Sequence, residues 1–283
     1  MRKTVKSGIF ITLVFMGIIL ANSLFAGNIS VLDSGTNKLK VTENTYSILS
    51  LNNTLTDIGF MRVKTKEGYF TQFRINEYGY STVEGSPRLP VIKKLIEVPI
   101  GATFEVEVLS YGQEEISLAD HGISDFVIPA QPPMSKNIDN PEDVEFVFDL
   151  AAYQTDAFWG PEMIKVVDLG IVRGVRLARI EIAPVLYNPV QNKLKVYTDI
   201  TLKVNFQNGN IGATLAEKEK KFSPYYESIY KQLINYKVID GGKDFITDEP
   251  VTYIIVSDPM FEDALAPFVE WKTKKGFQVV EAY

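Results

Sequence analysis

From Leu194 to Phe206 the apolar side chains fall on alternate positions: Leu194 and Val196, then Ile200, Leu202, Val204 and Phe206. A period of two buries one face of an extended strand and wets the other, and it does not suit a helix. The preceding stretch supplies the partner. Arg179-Ile180-Glu181-Ile182 leads into Val185-Leu186-Tyr187, and Asn188-Pro189-Val190-Gln191-Asn192 turns the chain. Proline fixes φ there and asparagine tolerates unusual backbone angles. The pattern predicts a hairpin between Val172 and Phe206, with an edge or bulge at Pro184, which has no N–H to donate. Thr103-Phe104-Glu105-Val106-Glu107-Val108 alternates in the same way, with Pro99, Gly101 and Gly112 bracketing it. Similar stretches, punctuated by Gly, Pro, Asn and Asp, recur throughout residues 27–210, which read as all-β.

Two long loops interrupt these strands. One is Glu84-Gly85-Ser86-Pro87-Arg88-Leu89-Pro90. The other is Pro129-Ala130-Gln131-Pro132-Pro133-Met134-Ser135-Lys136-Asn137, followed by the acidic stretch Asp139 to Glu145. Pro132-Pro133 holds the second loop extended and stiff.

The character changes after residue 210. Ala216-Glu217-Lys218-Glu219-Lys220-Lys221 reads as a solvated charge run. Ser223-Pro224 is placed to open a helix, with Tyr226, Ile229, Tyr230 and Leu233 on one face. Residues 211–249 are therefore expected to be a connector that packs against another part of the chain. Val251 to Val256 is a β-branched run suited to a strand buried on both faces of a parallel sheet. Asp258 and Pro259 then suit a helix start, Lys272, Lys274 and Lys275 its last turn, and Gly276 its end. Phe277 to Val280 begins a second strand. Residues 250–283 thus form the opening βαβ of an α/β domain. Two parallel strands and one helix do not fold alone, so the chain is expected to be part of a longer protein.

The N-terminus points outward from the cell. Arg2, Lys3 and Lys6 precede an apolar run from Ile9 to Leu20, too short to cross a bilayer comfortably and suited to a signal peptide over residues 1–26. Cleavage is expected after Ser23 or Ala26, with no membrane attachment afterwards. The chain has 283 residues, a formal charge of -6 and no cysteine. Its acidity argues against nucleic acid as a partner. The lack of cysteine excludes disulfides, a thiolate zinc site and a cysteine nucleophile within these residues. Asp139, Glu142, Asp143 and Glu145 do not have the spacing of an EF-hand and read as a solvated loop. No metal or other cofactor is expected.

Four stretches, in order, resemble the N-terminal half of the gingipain-type cysteine peptidases. They are Gly85-Ser86-Pro87-Arg88-Leu89-Pro90-Val91, then Pro129-Ala130-Gln131-Pro132-Pro133, then Tyr187-Asn188-Pro189 through Lys195-Val196-Tyr197-Thr198-Asp199, and finally Tyr253-Ile254-Ile255-Val256 through Trp271-Lys272. The resemblance implies a signal peptide, a β-sandwich-like propeptide, and the truncated start of a caspase-like α/β catalytic domain. The family's catalytic His and Cys would lie beyond residue 283, so no catalytic residue is assigned. His121, the single histidine, reads as a loop residue with no cysteine to pair with.

A propeptide of this kind implies one partner, the cognate catalytic domain tethered to it, which it keeps latent and helps to fold. If that peptidase prefers basic residues, Lys136 after the stiff Pro132-Pro133 segment is the side chain expected to enter its specificity pocket, with Arg88 as runner-up. The plainer reading of Lys136 is a solvated surface lysine. Processing is expected between about 208 and 250, with Lys220, Lys221 and Lys243 as candidate sites. Tyr225, Tyr226 and Tyr230 would mark either an interface or the buried face of the connector. Two other functions are open from the residues alone: a secreted β-sandwich that binds protein or glycan, and a stand-alone peptidase inhibitor. The βαβ start argues against the first, since an adhesion module has no use for it.

Overall fold

The computed structural model describes residues 26–134, 144–223, 226–238 and 250–283. The signal segment before Ala26, Lys136, Asp139, Glu142, Asp143, Pro224, Tyr225 and Lys243 lie outside the described residues. Three antiparallel sheets make up most of the molecule. Strands β1 (Ala26–Ser30), β4 (Asp57–Thr65) and β5 (Gly68–Arg74) form the first, in the order β1-β4-β5. The second has the order β6-β7-β10-β9, from β6 (Gly79–Tyr80), β7 (Pro90–Val98), β9 (Ile164–Val172) and β10 (Val175–Ile182). The third is built on β12 (Lys193–Gln207). On one side β12 pairs with β11 (Val185–Asn188) and then β3 (Ile48–Thr54), and β2 (Lys38–Asn44) pairs beyond β3. On its other side runs β8 (Thr103–Ser117).

Strand β12 is the expected return strand, and its alternation serves two cores at once. Leu194 and Val196 join Ile29, Phe60, Phe73, Leu89, Tyr153 and Tyr187 in one. Ile200, Leu202, Val204 and Phe206 join Leu49, Ile92, Ile96, Ala178 and Ile180 in the other. Burying each of these six side chains contributes roughly 1.5–3 kcal/mol. The hairpin turn forms as read: Asn188 Oδ1 accepts from the N–H groups of Val190 (3.1 Å) and Gln191 (3.0 Å), and Asn192 takes φ 49°. Pro184 falls between β10 and β11, where the chain leaves one sheet for another and no ladder N–H is needed.

Gly112 does not bound its strand as expected. It lies inside β8 opposite Thr198, where β12 bulges and Asp199 takes φ 46°. A Cβ on Gly112 would come 2.3 Å from Thr198 Oγ1, so glycine is required by close approach rather than by a turn. Gly112→Ala is expected to cost about 1–3 kcal/mol in a denaturant titration. Adding Thr198→Ala should recover most of that loss, because the Oγ1 atom is the obstacle; strict additivity in the double mutant would refute the contact.

The segment after β12 also departs from expectation. The charge run belongs to a helix, α2 (Ile211–Lys221), whose cap Asn210 accepts the Ala213 N–H at 2.9 Å. Lys218 is not solvated. It is fully buried, and its Nζ donates to Glu97 Oε1 on β7 at 2.7 Å and to Lys237 O at 2.7 Å. The helix expected after Ser223 is a single turn (Glu227–Tyr230). Tyr230 and Leu233 bury against Val175 and Leu177, and the chain then runs beside β7. There Ile234 N–H donates to Leu95 O, while the Asn235 carboxamide donates to Glu97 O (2.9 Å) and accepts from Glu97 N–H (2.6 Å). Lys237 N–H donates to Glu97 Oε2 at 3.0 Å. The segment packs down, as a connector should, but as an edge extension of β7 rather than through a helical face.

Residues 250–283 form the expected unit: β13 (Thr252–Val256), a helix (Glu262–Lys274) entered through a 3-10 turn capped by Asp258, and β14 (Gln278–Ala282) parallel to β13. Ile255 is buried, while Ile254 and Val256 on the alternate face are 64% and 81% exposed. Among the described residues no helix is long and apolar enough to cross a membrane.

Candidate functional site

The two proline-bounded loops, far apart in the chain, lie side by side. Gly85 N–H donates to Ala130 O (2.8 Å), Ala130 N–H to Ser86 O (2.9 Å) and Arg88 N–H to Ile128 O (2.9 Å). Gly85 O also accepts from Asp149 N–H (3.1 Å), so this one residue ties together the outgoing and returning arms of the second loop. Glycine is needed for two reasons. Its φ is 76°, and a Cβ would sit 2.9 Å from Asp149 N. The first loop is itself held from beneath by Ser81, whose hydroxyl donates to Pro87 O and accepts from Leu89 N–H.

The returning arm is anchored by aromatic rings. Phe146 and Phe148 approach Phe70 with centroids at 5.5 and 6.2 Å, and Phe148 stacks on Tyr153 at 4.3 Å. Tyr153 Oη donates to Val127 O at 2.6 Å, and burial pushes its hydroxyl pKa well up, so it stays a donor. Asp149 caps the short helix α1 (Leu150–Gln154), accepting from Ala151 and Ala152 N–H. Closer to the loop tip, Gln131 bonds both backbone groups of Val147, and Lys66 Nζ donates to Val144 O. A cleft of about 700 Å³ opens beside this stem, lined by Lys64, Lys66, Pro132, Met134, Glu145 and Phe146.

The candidate residues distribute unequally over this framework. Pro132 is half-buried, and Pro133 and Met134 are exposed where the described part of the loop ends. Arg88 is half-buried, with its guanidinium carbon 4.0 Å from the Tyr80 ring centroid, a stacked position within the fold. Lys220 and Lys221 are exposed in the last turn of α2, and Lys221 pairs with Glu217 at 2.6 Å. Tyr230 belongs to the buried face; Tyr226 is half-buried beneath Arg173. His121 ends a 3-10 turn, half-buried. Among the described residues no group of three or more His, Cys, Asp or Glu side chains could hold a metal ion.

Sequence reasoning missed Gln131, Phe146, Phe148 and the double role of Gly85. The alternation Phe146-Val147-Phe148 was a legible strand-like signal. Nothing local marks Gln131, because its partner lies across the loop.

Comparison with known proteins agrees with this architecture. Lys-gingipain HG66 of Porphyromonas gingivalis is 38% identical over 260 residues, covering 92% of this chain; the chain spans 15% of that protein's length. A solved structure concerned with the zymogenic latency of gingipain K from Porphyromonas gingivalis is similar at 38% identity, covering 65% of this chain and 99% of that one, with a TM-score of 0.61. A chain from the complex of Porphyromonas gingivalis RgpB pro- and mature domains shares the fold at 24% identity and a TM-score of 0.55, over 70% of this chain and 98% of that one. The Propeptide_C25 family model matches residues 27–237, which spans all three antiparallel sheets and the segment docked on β7, and the chain belongs to that family.

Proposed function

We propose that residues 26–237 keep a gingipain-like cysteine endopeptidase latent and assist its folding, and that residues 250–283 open its caspase-like domain. In this reading the loop between Gln131 and Val147 enters the substrate cleft and Lys136 occupies the specificity pocket. The observation that supports it is the closed stem: two distant proline-bounded segments are tied together where one loop leaves and re-enters the fold. A lysine suits a relative named Lys-gingipain, and Arg88 is already engaged in its stack on Tyr80. Tethering gives an inhibitor an effective concentration of roughly millimolar, so modest contacts suffice until the link is cut.

The link is residues 239–249, between the segment bonded to Glu97 and β13, which makes Lys243 the favoured first processing site. Lys220 and Lys221 sit in a helix that must unwind before a peptidase can bind it, which suits a later cut. Residues 1–23 direct export in this reading. A cut after Ser23 leaves β1 whole, whereas one after Ala26 removes a residue paired with Met61.

The test is to add the purified full chain to mature Lys-gingipain from Porphyromonas gingivalis. Dose-dependent inhibition is expected, with no thiol-dependent peptidase activity from the chain itself. A well-folded chain that leaves the peptidase untouched refutes the latency reading.

A further inference from the structure

The third sheet ends on an uncovered strand. β8 runs for 15 residues, roughly 50 Å, and pairs with β12 along one edge. Among the described residues no other strand, isolated bridge or loop backbone hydrogen bond meets its outer edge. The irregularity at Ser110 is compensated. Pairing keeps one register from Thr103↔Gln207 to Val108↔Leu202 and resumes it from Gly112↔Thr198 to Ser117↔Lys193.

An open edge of this length is a template for another extended chain, and proteins commonly blunt such edges with lysine, proline or a bulge. Two other edges of this fold follow that rule. β2, at the opposite edge of the same sheet, carries Lys38 and Lys40, and β9 is broken beside Gly170, which takes φ 92°. β8 has no lysine, arginine or proline. Its centre is apolar and open to solvent: Leu109 is 51% and Tyr111 50% exposed, with Val108 beside them. Acids flank that centre, Glu105 and Glu107 before it and Glu114 and Glu115 after it. Glu105 is bonded to Gln207 and Glu115 to Lys195, while Glu107 and Glu114 are exposed with no side-chain partner among the described residues. Pairing with β8 of a second copy would set acids beside acids at both ends, which is unfavourable.

We propose that β8 is a docking edge for an extended segment of another protein, apolar at its centre and bearing lysine or arginine towards both ends, which joins the third sheet as a further strand. Backbone hydrogen bonds supply the attachment, and the flanking acids select the partner.

The probe is a short synthetic peptide with lysines at both ends and alternating valine and threonine between them. One control is a twin whose central amides are all N-methylated, which removes its strand-pairing donors. A second carries glutamates in place of the lysines. Each is titrated into the full chain, with binding read by fluorescence anisotropy and strand addition by hydrogen exchange of the β8 amides. The lysine peptide is expected to slow exchange within Thr103–Ser117, and both controls to bind roughly tenfold more weakly or worse. Glu107→Lys combined with Glu114→Lys should weaken the lysine peptide by a similar factor with little change in melting temperature, since both side chains are exposed. Unchanged exchange of β8 at saturating peptide overturns the proposal. Equal binding of the N-methylated twin does so too, because it reduces the edge to an acidic patch. Equal binding of the glutamate twin, or full affinity in the doubly substituted chain, removes the acids as selectors and overturns the stated partner. Protection of β8 that rises with the chain's own concentration, without peptide, would make a second copy the occupant and overturn it as well.

Discussion

Replacing Lys218 with alanine should cost roughly 3–5 kcal/mol of stability, because it leaves a buried carboxylate without its cation. The side chains of Lys218 and Glu97 are 1% and 2% exposed, and their 2.7 Å contact is closed in from several sides. Lys218 Nζ also donates to Lys237 O and lies 4.3 Å from the centre of the Tyr236 ring. Glu97 spends its second oxygen on Lys237 N–H and its backbone on Asn235. A domain is typically stable by only about 5–15 kcal/mol, so the loss should be plain as a shift in the denaturation midpoint. Lys218→Met with Glu97→Gln should lose less than Lys218→Ala alone, since it removes both charges, roughly keeps the volume and leaves an acceptor for Lys237 N–H. A loss below about 1 kcal/mol for Lys218→Ala would mean that the pair is hydrated rather than sealed. The same contact ties processing to stability. A cut at Lys220 or Lys221 would detach Asn235 and Lys237 from Lys218 and leave only non-covalent contacts to hold them on β7.

Glu97 and Lys218 also show where sequence reasoning stops. The run Leu95-Ile96-Glu97-Val98 placed an acid inside a buried strand, which should have demanded a partner. The partner lay in a stretch that looked solvated because its neighbours are charged, and it is separated by |i−j| = 121. Periodicity reports on a residue's own element, so β12, its turn and the 250–283 unit were readable in advance, whereas the expected edge or bulge at Pro184 is instead a break between β10 and β11, which join different sheets. It is silent on which elements meet. Both proline-bounded loops were visible as loops, but not that Gly85 would join the arms of the second. Gly112 was visible as a breaker, and only Thr198 opposite explains why it interrupts nothing. The candidate site divides in the same way: stiffness at Pro132-Pro133 was legible, and the clamp at Gln131 was not.

Lys136→Ala should weaken inhibition of mature Lys-gingipain by roughly thirtyfold or more, the scale of one buried anchor at an interface. Its melting temperature should not change. The stem is held by Gly85, Gln131 and the Phe70-Phe146-Phe148-Tyr153 rings, and the substitution changes none of these residues. Arg88→Ala should behave in the opposite way. Loss of the stack on Tyr80 should cost about 1 kcal/mol of stability for this half-buried cation–π contact, seen as a modest fall in melting temperature, and leave the inhibition constant within a few-fold of the parent. The crossed pattern is what identifies the anchor. If Arg88→Ala abolished inhibition at unchanged stability while Lys136→Ala did not, the pocket-filling role would pass to Arg88, and the loop would have to dock on the Tyr80 side of the stem. If neither variant altered inhibition, the catalytic domain would be held by a surface away from both loops, and the closed stem would be a device of folding rather than of latency.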